Sequence, residues 1–167
     1  MQWLGSDSLV AGGADHFLKV YDLEKLAIQE SIFTHHKVIT AMDTSCASGS
    51  HIVLGGQEDG VVKLFDLRAR TLKTASQRQF AAHSRYISSV TINPQAENVF
   101  LTSAYDGKLK LWDMRNEAEP IAVLKHNSKI PQQTTGDFKL FTTCWNGPSE
   151  ILSGGSDSHV SVHEIPQ

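Results

Sequence analysis

The side chains with catalytic or metal-binding potential are histidines, aspartates and glycine-flanked polar residues, and none has the spacing its chemistry needs. His159 and His163 would lie on one face of a strand but about 13 Å apart, so we expect packed or solvent-facing histidines. Gly107-Lys108 lacks the upstream glycine of a phosphate-binding loop. The segment 154–158, Gly-Gly-Ser-Asp-Ser, lacks the second glycine of a nucleophile elbow. We therefore predict no catalytic residue, metal site or cofactor.

Composition narrows the class of protein further. The chain has 167 residues, enough for one domain, and its 40% hydrophobic content is typical of a soluble globular protein. Fifteen Lys and Arg against eighteen Asp and Glu give a net charge of -3, so no broad basic surface for nucleic acid or membranes is expected. Cys46 and Cys144 have no zinc-site spacing, and no signal peptide or membrane span is evident.

An internal repeat organises the chain. Residues 15–22, 59–66 and 106–113 align without gaps, each running from an aspartate through alternating apolar residues to an aromatic-Asp pair. A fourth segment, residues 157–164, keeps the leading aspartate and a closing acid. The leading aspartates are 44, 47 and 51 residues apart. Such a period indicates a repeat architecture in which each unit packs against its neighbours.

Within each unit the apolar residues recur with a period of two, which predicts strands joined by tight turns. No helix-period stretch exceeds a turn or two. The strands predicted for two successive units are Val38–Asp43, His51–Leu54, Val61–Leu67 and Lys73–Arg78, then Ile87–Ile92, Val99–Thr102, Lys108–Met114 and Ile121–Leu124.

The closing pairs of the first three repeats, ending at Asp22, Asp66 and Asp113, resemble the Trp-Asp signature of WD-repeat β-propellers, and Ala82-His83 resembles that family's Gly-His opening. This resemblance implies an all-β fold, with about four propeller blades at residues 1–33, 34–80, 81–125 and 126–167. Because family propellers have seven blades as a rule, we expect the chain to form part of a longer propeller. A closed four-bladed ring is the alternative.

The resemblance also implies a structural tetrad in the third repeat, formed by His83, Thr102, Asp106 and Trp112. The other repeats depart from this set. The second keeps an aspartate and His35, but Phe65 has no N–H and Gly55 has no hydroxyl. The fourth offers Ser153 but neither the tryptophan nor an in-register histidine, because residues 127–137 separate His126 from the repeat.

With no catalytic motif, function is expected to reside in surfaces that bind other proteins. Lys37, Arg85, Tyr86 and Tyr105 are expected on the propeller face that carries the loops entering each blade, together with Glu58 and His16. Arg and Tyr are residue types that anchor interfaces, although Arg85 and Tyr86 covering a blade edge is an equal alternative. Residues 127–137 are predicted to form a surface loop.

The last ninety or so residues resemble one family more closely, the WD-repeat subunit of the PeBoW complex. This resemblance implies a non-catalytic nucleolar scaffold for large-ribosomal-subunit biogenesis and pre-rRNA processing, with Pescadillo-type and block-of-proliferation-type partners on the pre-ribosomal particle. The chain lacks that family's N-terminal ubiquitin-like domain, and residues 127–137 lengthen a segment the family keeps short. The residues that carry the resemblance are Leu111–Arg115, Pro120, Leu124, His126, Lys139–Phe141, Trp145 and Ile151–Asp157.

A second function class fits two other segments. Val62–Arg68 and Leu109–Arg115 each end in an acid followed by x-Arg, and resemble the Trp-Asp-x-Arg boxes of cullin-RING ubiquitin ligase substrate receptors. There Arg68 and Arg115 would bind an adaptor on the opposite face. A structural or solvated role is favoured for both arginines, and a generic WD-repeat adaptor, nuclear or cytoplasmic, is a third interpretation.

Overall fold

The computed structural model describes residues 1–34, 36–45, 51–68, 78–126 and 138–165, and these residues form strands and turns without a helix. No described segment is a helix long and apolar enough to cross a membrane. The strands are β1 (Gln2–Leu4), β2 (Ser8–Gly12), β3 (Phe17–Asp22), β4 (Ala27–Phe33), β5 (Ile39–Ser45), β6 (Ile52–Gln57), β7 (Val61–Asp66), β8 (Arg78–Ala81), β9 (Ile87–Ile92), β10 (Val99–Ala104), β11 (Lys108–Asp113), β12 (Ala122–Lys125), β13 (Leu140–Trp145), β14 (Glu150–Gly155) and β15 (Val160–Glu164).

The strands form four antiparallel sheets, each a meander in which every strand pairs with the next along the chain. The first three sheets have four strands, β1–β4, β5–β8 and β9–β12, and the fourth has three, β13–β15. This strand order is that of propeller blades, as the WD-repeat resemblance leads one to expect, and the ring they begin is not closed. The predicted all-β fold is confirmed.

Strand bounds agree with the sequence where alternation is clear and differ where glycines intervene. The strand predicted at Ile87–Ile92 has those bounds in the structure. The strand predicted at His51–Leu54 continues to Gln57, through two glycines. Their small size is required by packing, since a Cβ at Gly56 would lie 2.6 Å from a methyl carbon of Ile87 in the next sheet. The predicted strand Lys73–Arg78 lies outside the described residues except for Arg78, where β8 begins.

Three apolar clusters fill the spaces between successive sheets and hold the blades face to face. Leu18 and Phe65 belong to the cluster between the first and second sheets, Leu54 and Trp112 to the next, and Leu140 to the last. Strand β5 packs against β9, and β9 packs against β13, so the innermost strands follow one another around the arc. Burial of these side chains is the main favourable contribution to folding.

Asp-Gly turns in the second and third sheets lie against the loop that enters the next sheet, whereas the first sheet has Asp15-His16 at this place. Gly60 has a φ of 87°, and a Cβ there would lie 2.1 Å from the carbonyl oxygen of His83. The backbone N–H of His83 donates to the carbonyl oxygen of Gly60 at 2.9 Å. Only glycine combines this left-handed backbone with so close an approach. We call the side of the arc that carries these turns the turn face.

Candidate functional site

The third sheet brings all four predicted tetrad residues together. The Nε1–H of Trp112 donates to Thr102 Oγ1 at 3.1 Å, and Thr102 Oγ1 lies 2.8 Å from His83 Nε2. His83 Nδ1 lies 3.0 and 3.1 Å from the two carboxylate oxygens of Asp106. When Thr102 donates to Nε2 and Nδ1–H donates to Asp106, each hydrogen bond among these four side chains has one donor and one acceptor.

Burial and hydrogen bonding shift the pKa of Asp106 in opposite directions. Partial burial works to raise its pKa, but the hydrogen bond from His83, with those from the backbone N–H groups of Lys108 and Ser84, outweighs burial and lowers the pKa to about 2. The Asp106 carboxyl therefore stays deprotonated to a lower pH in the folded state than in the unfolded state. The stability it contributes is present above pH 3.8 and is lost as the pH falls from 3.8 toward 2.

A lysine that was not among the predicted site residues supports this tetrad. The Nζ of Lys110 donates to the carbonyl oxygen of Ala82, directly before His83, and lies 5.8 Å from the centre of the Trp112 ring. Desolvation lowers the pKa of Lys110. Only its position in the Lys-Leu-Trp-Asp alternation could have indicated this role. Together with Lys110, the tetrad holds the loop that enters the third sheet against that sheet, which is a structural role.

The fourth sheet contains a second network, and here the sequence-based expectation for His126 is wrong. His126 Nδ1 lies 2.8 Å from Ser153 Oγ, and its Nε2 lies 3.1 Å from Asp157 Oδ2. The side chains of His126 and Asp157 are 1% and 0% exposed. Residues 127–137 separate His126 from the rest of the fourth sheet in sequence, but the fold still places the histidine beside Ser153 and Asp157.

His163 takes the place of the tryptophan in this second network. Its Nε2 lies 2.7 Å from Ser153 Oγ, so Nε2–H can donate to the hydroxyl as the Trp112 indole does in the third sheet. Burial lowers the pKa of His163, and the nearby His126 adds to the effect. The sequence did carry a signal: Thr102, Asp106 and Trp112 are spaced by four and six residues, and Ser153, Asp157 and His163 repeat that spacing.

The second sheet has no such network among its described residues. Gly55 and Phe65 stand where the hydroxyl and the indole would be, as predicted from their types, and Phe65 is buried in the apolar cluster. A Cβ at Gly55 would lie 3.5 Å from the Phe65 ring, so the two positions pack together. His35, which the sequence assigns to this sheet's histidine position, lies outside the described residues.

The predicted binding residues Tyr86 and Tyr105 meet on the turn face. Their rings stack with centroids 4.9 Å apart, and the backbone N–H of Tyr105 donates to the carbonyl oxygen of Tyr86. Two residues that were not among the predicted binding residues join them from the fourth sheet. Phe141 meets Tyr105 edge-on at 5.9 Å, and Lys139 Nζ lies 5.2 Å from the centre of the Tyr105 ring.

Lys108 and Lys125 continue this surface outward. They are paired across β11 and β12, and both are exposed. No described carboxylate forms an ion pair with Lys108, Lys125 or Lys139. We call the surface formed by these six residues the aromatic–lysine patch: Tyr86, Tyr105, Lys108, Lys125, Lys139 and Phe141.

The other predicted binding residues on the turn face lie toward the second sheet. Lys37 Nζ lies 3.4 Å from Asp59 Oδ2, an exposed ion pair between an entering loop and the following turn. Arg85 is exposed on the loop entering the third sheet, and its carbonyl oxygen lies close to Gly60. These positions put the predicted residues on one face.

Arg68 and Arg115 occupy equivalent places at the opposite edge of the second and third sheets. Arg68 binds Asp66 and Arg115 binds Asp113, each through two nitrogens of the guanidinium with a shortest distance of 2.7 Å. The Arg115 hydrogen bond is the largest cause that lowers the pKa of Asp113, to about 2. Each arginine is engaged with its own blade's closing aspartate while remaining exposed to solvent.

The described residues include no group of three histidine, cysteine, aspartate or glutamate side chains arranged to hold a metal ion. Cys144 is a free, exposed thiol. Cys46 and the predicted surface loop at residues 127–137 lie outside the described part of the chain. The buried groups of the two histidine networks are engaged with one another and serve to position loops, whereas His16 Nδ1 and Gln57 Oε1 are buried without a hydrogen-bond partner among the described residues.

Comparison with known proteins identifies the repeat. Residues 74–113 match the family model for the WD domain, G-beta repeat. This segment contains β8 of the second sheet and β9–β11 of the third, including all four residues of the structural tetrad. The resemblance to WD-repeat proteins drawn from the signature residues is confirmed.

Similarity to curated proteins extends over nearly the whole chain. The chain is 29% identical over 163 residues, 97% of its length, to the Ribosome biogenesis protein WDR12 homolog of Drosophila pseudoobscura pseudoobscura. It is 28% identical over 163 residues, again 97% of its length, to the protein of that name from Aedes aegypti. The chain spans 36% and 35% of the length of these two relatives, about a third.

Proposed function

We propose that this protein is a non-catalytic scaffold in the biogenesis of the large ribosomal subunit, acting in pre-rRNA processing in the nucleolus. The observation that carries the proposal is the similarity along 97% of the chain to relatives named as ribosome biogenesis proteins. The blade architecture supports a scaffold, because function in a propeller resides in side chains presented at its faces.

The turn face is the surface proposed to hold protein partners. Lys37, Arg85, Tyr86 and Tyr105 lie there, on loops that buried hydrogen bonds and close backbone packing hold in place. Rigid loops lose little conformational freedom on binding, and tyrosine supplies a large contact area with few rotatable bonds. The proposed partners are Pescadillo-type and block-of-proliferation-type proteins on the pre-ribosomal particle, as the sequence resemblance implies.

The test is affinity purification of the tagged full-length gene product from its own cells, followed by mass spectrometry. We expect co-purification of Pescadillo-type and block-of-proliferation-type proteins with large-subunit ribosomal proteins. Recovery of a cullin and its adaptor without ribosomal precursors would overturn the proposal and favour the substrate-receptor alternative.

A matched pair of variants connects this result to the turn face. Arg85→Ala changes an exposed residue there, whereas Arg115→Ala changes an exposed residue at the opposite edge. We expect Arg85→Ala to reduce recovery of the ribosome-assembly partners and Arg115→Ala to leave it unchanged. The reverse result would place the interface on the opposite edge.

A further inference from the structure

We propose that the aromatic–lysine patch binds single-stranded RNA, with Tyr86 and Phe141 stacking against bases and Lys108, Lys125 and Lys139 contacting phosphates. This contact shares Tyr86 and Tyr105 with the turn face proposed above to hold protein partners, but the argument for it does not depend on that proposal. The chemistry it recognises is that of a polyanion with planar groups.

The lysines supply the first part of the argument. Lys108 and Lys125 are direct cross-strand neighbours, an arrangement in which like charges repel. The nearby carboxylates are engaged elsewhere: Asp106 binds His83, and Asp157 binds His126 in a buried pair. The described part of the chain thus leaves the patch locally basic although the whole chain carries a net charge of -3. Such a site favours an anionic partner.

The rings supply the second part. Tyr86 is stacked on Tyr105 and is still 40% exposed, and Phe141 is 48% exposed while its ring meets Tyr105 edge-on. Tyr105 therefore packs against both exposed rings and holds them in place. Exposed aromatic rings beside cations are the arrangement by which proteins bind single strands, because every base offers a face for stacking.

The arrangement of the strands orders these groups along one edge. From the innermost strand outward, the third sheet presents Tyr86 before β9, Tyr105 after β10, Lys108 at the start of β11 and Lys125 at the end of β12. The carboxylates of an acidic peptide would neutralise the lysines, but they would not stack on the exposed rings. A single-stranded nucleic acid satisfies both sets of groups.

Fluorescence anisotropy tests the proposal with the purified full-length gene product and a labelled oligouridine of about 12 nucleotides, within the usual site sizes. We expect Tyr86→Ala and Phe141→Ala each to weaken binding about tenfold and Tyr86→Phe to bind like the wild type. The double variant Lys108→Ala/Lys125→Ala should reduce the slope of log affinity against log salt by about 1.4, because each lost phosphate contact to a single strand removes about 0.7.

Matched controls separate the patch from general effects. Trp3→Ala removes an exposed ring from the first sheet, and Lys25→Ala removes an exposed lysine from the opposite edge of that sheet. Both should bind like the wild type. Absence of RNA binding would overturn the proposal, as would equal losses in Tyr86→Ala and Trp3→Ala.

A competing oligoglutamate peptide provides the remaining outcome. The RNA proposal fails if the peptide displaces the RNA and if the Tyr86→Ala variant binds the peptide as tightly as the wild type does. The patch would then bind acidic protein segments. Because these titrations use purified protein, their failure leaves the partners recovered by affinity purification unaffected, so the two proposals are tested separately.

Discussion

The third and fourth sheets build the same chain of hydrogen bonds from different side chains. In the third sheet the order is Trp112, Thr102, His83 and Asp106. In the fourth it is His163, Ser153, His126 and Asp157. Each has a ring N–H, a hydroxyl, a histidine and a carboxylate in series, so the repeat keeps the order of donors and acceptors while the residue types change.

The two networks differ in how they respond to protons and in how the histidine is oriented. His83 faces its aspartate with Nδ1, whereas His126 faces its aspartate with Nε2 and stacks on Phe138 at 4.9 Å. An indole N–H has no titration near neutral pH, but an imidazole in its place does. The fourth sheet therefore has a pH-sensitive group where the third has an insensitive one.

The second sheet shows that the network is dispensable for forming a blade. Gly55 and Phe65 leave no hydroxyl and no ring donor, yet β5–β8 pair in the same order as their counterparts. Packing of Phe65 and its apolar neighbours suffices there. The networks are therefore expected to add stability to individual blades and precision to their loops, which the following variants measure.

The largest effect is expected for His83→Ala. It removes the main partner of the Asp106 carboxylate and the closest partner of Thr102 Oγ1, whose other acceptor is the carbonyl oxygen of Lys110 at 3.4 Å. In this buried site the change should cost about 3 kcal/mol in the free energy of unfolding. Urea melts at neutral pH measure it. A loss below about 1 kcal/mol would show that the tetrad is not a significant source of stability.

Trp112→Phe is expected to have a smaller effect. Phenylalanine keeps an aromatic ring in the cluster with Phe80 and Phe100 but removes the N–H that donates to Thr102. The loss of one neutral hydrogen bond, with some repacking, should cost about 1 kcal/mol. The same urea melts test it, and no change at all would mean that the indole donor contributes nothing beyond its packing.

His163→Gln tests the difference in proton sensitivity. Because burial lowers the pKa of His163 in the folded state, the unfolded state takes up the proton more readily, and stability falls as the pH drops below 6.5. Glutamine keeps an N–H donor but does not titrate. We expect the variant to lose less stability than the wild type between about pH 7.5 and 5.5. Parallel pH curves for the two proteins would show that His163 is not the pH-sensitive group.

Arg115→Ala should have the smallest effect on stability. Its ion pair with Asp113 is exposed to solvent, where such pairs contribute little. We expect a melt indistinguishable from the wild type, and Arg68→Ala provides the matched variant in the second sheet. A clear destabilisation by either would make these arginines structural parts of the blade.

The repeat itself could be predicted from the sequence because alternation and recurrent Asp-containing turns are local signals. Strand β9 and the four tetrad positions follow from that pattern and from the family resemblance. The bounds of β6 were harder, since Gly55 and Gly56 resemble a turn until the packing of Ile87 is known. That contact joins residues of different sheets and leaves no local trace.

Three members of the fourth-sheet network repeat the spacing of the tetrad, but the place of His126 could not be predicted, for a different reason. The distance in sequence from His126 to Ser153 is 27 residues, against 19 from His83 to Thr102, so the histidine is out of register. Tertiary structure restores its position, which spacing alone does not predict. The aromatic–lysine patch could likewise be predicted only in part from the sequence, because Phe141 comes from another sheet and contacts Tyr105 only in the folded structure.

The most direct test of the equivalence of the two networks is the urea melt of His126→Ala beside His83→Ala, with the exposed His51→Ala as control. Because His126 and Asp157 are fully buried partners, we predict a loss of stability within about 1 kcal/mol of that for His83→Ala. If His126→Ala instead melts like His51→Ala, the fourth sheet has no working counterpart of the tetrad, and the two networks are not equivalent.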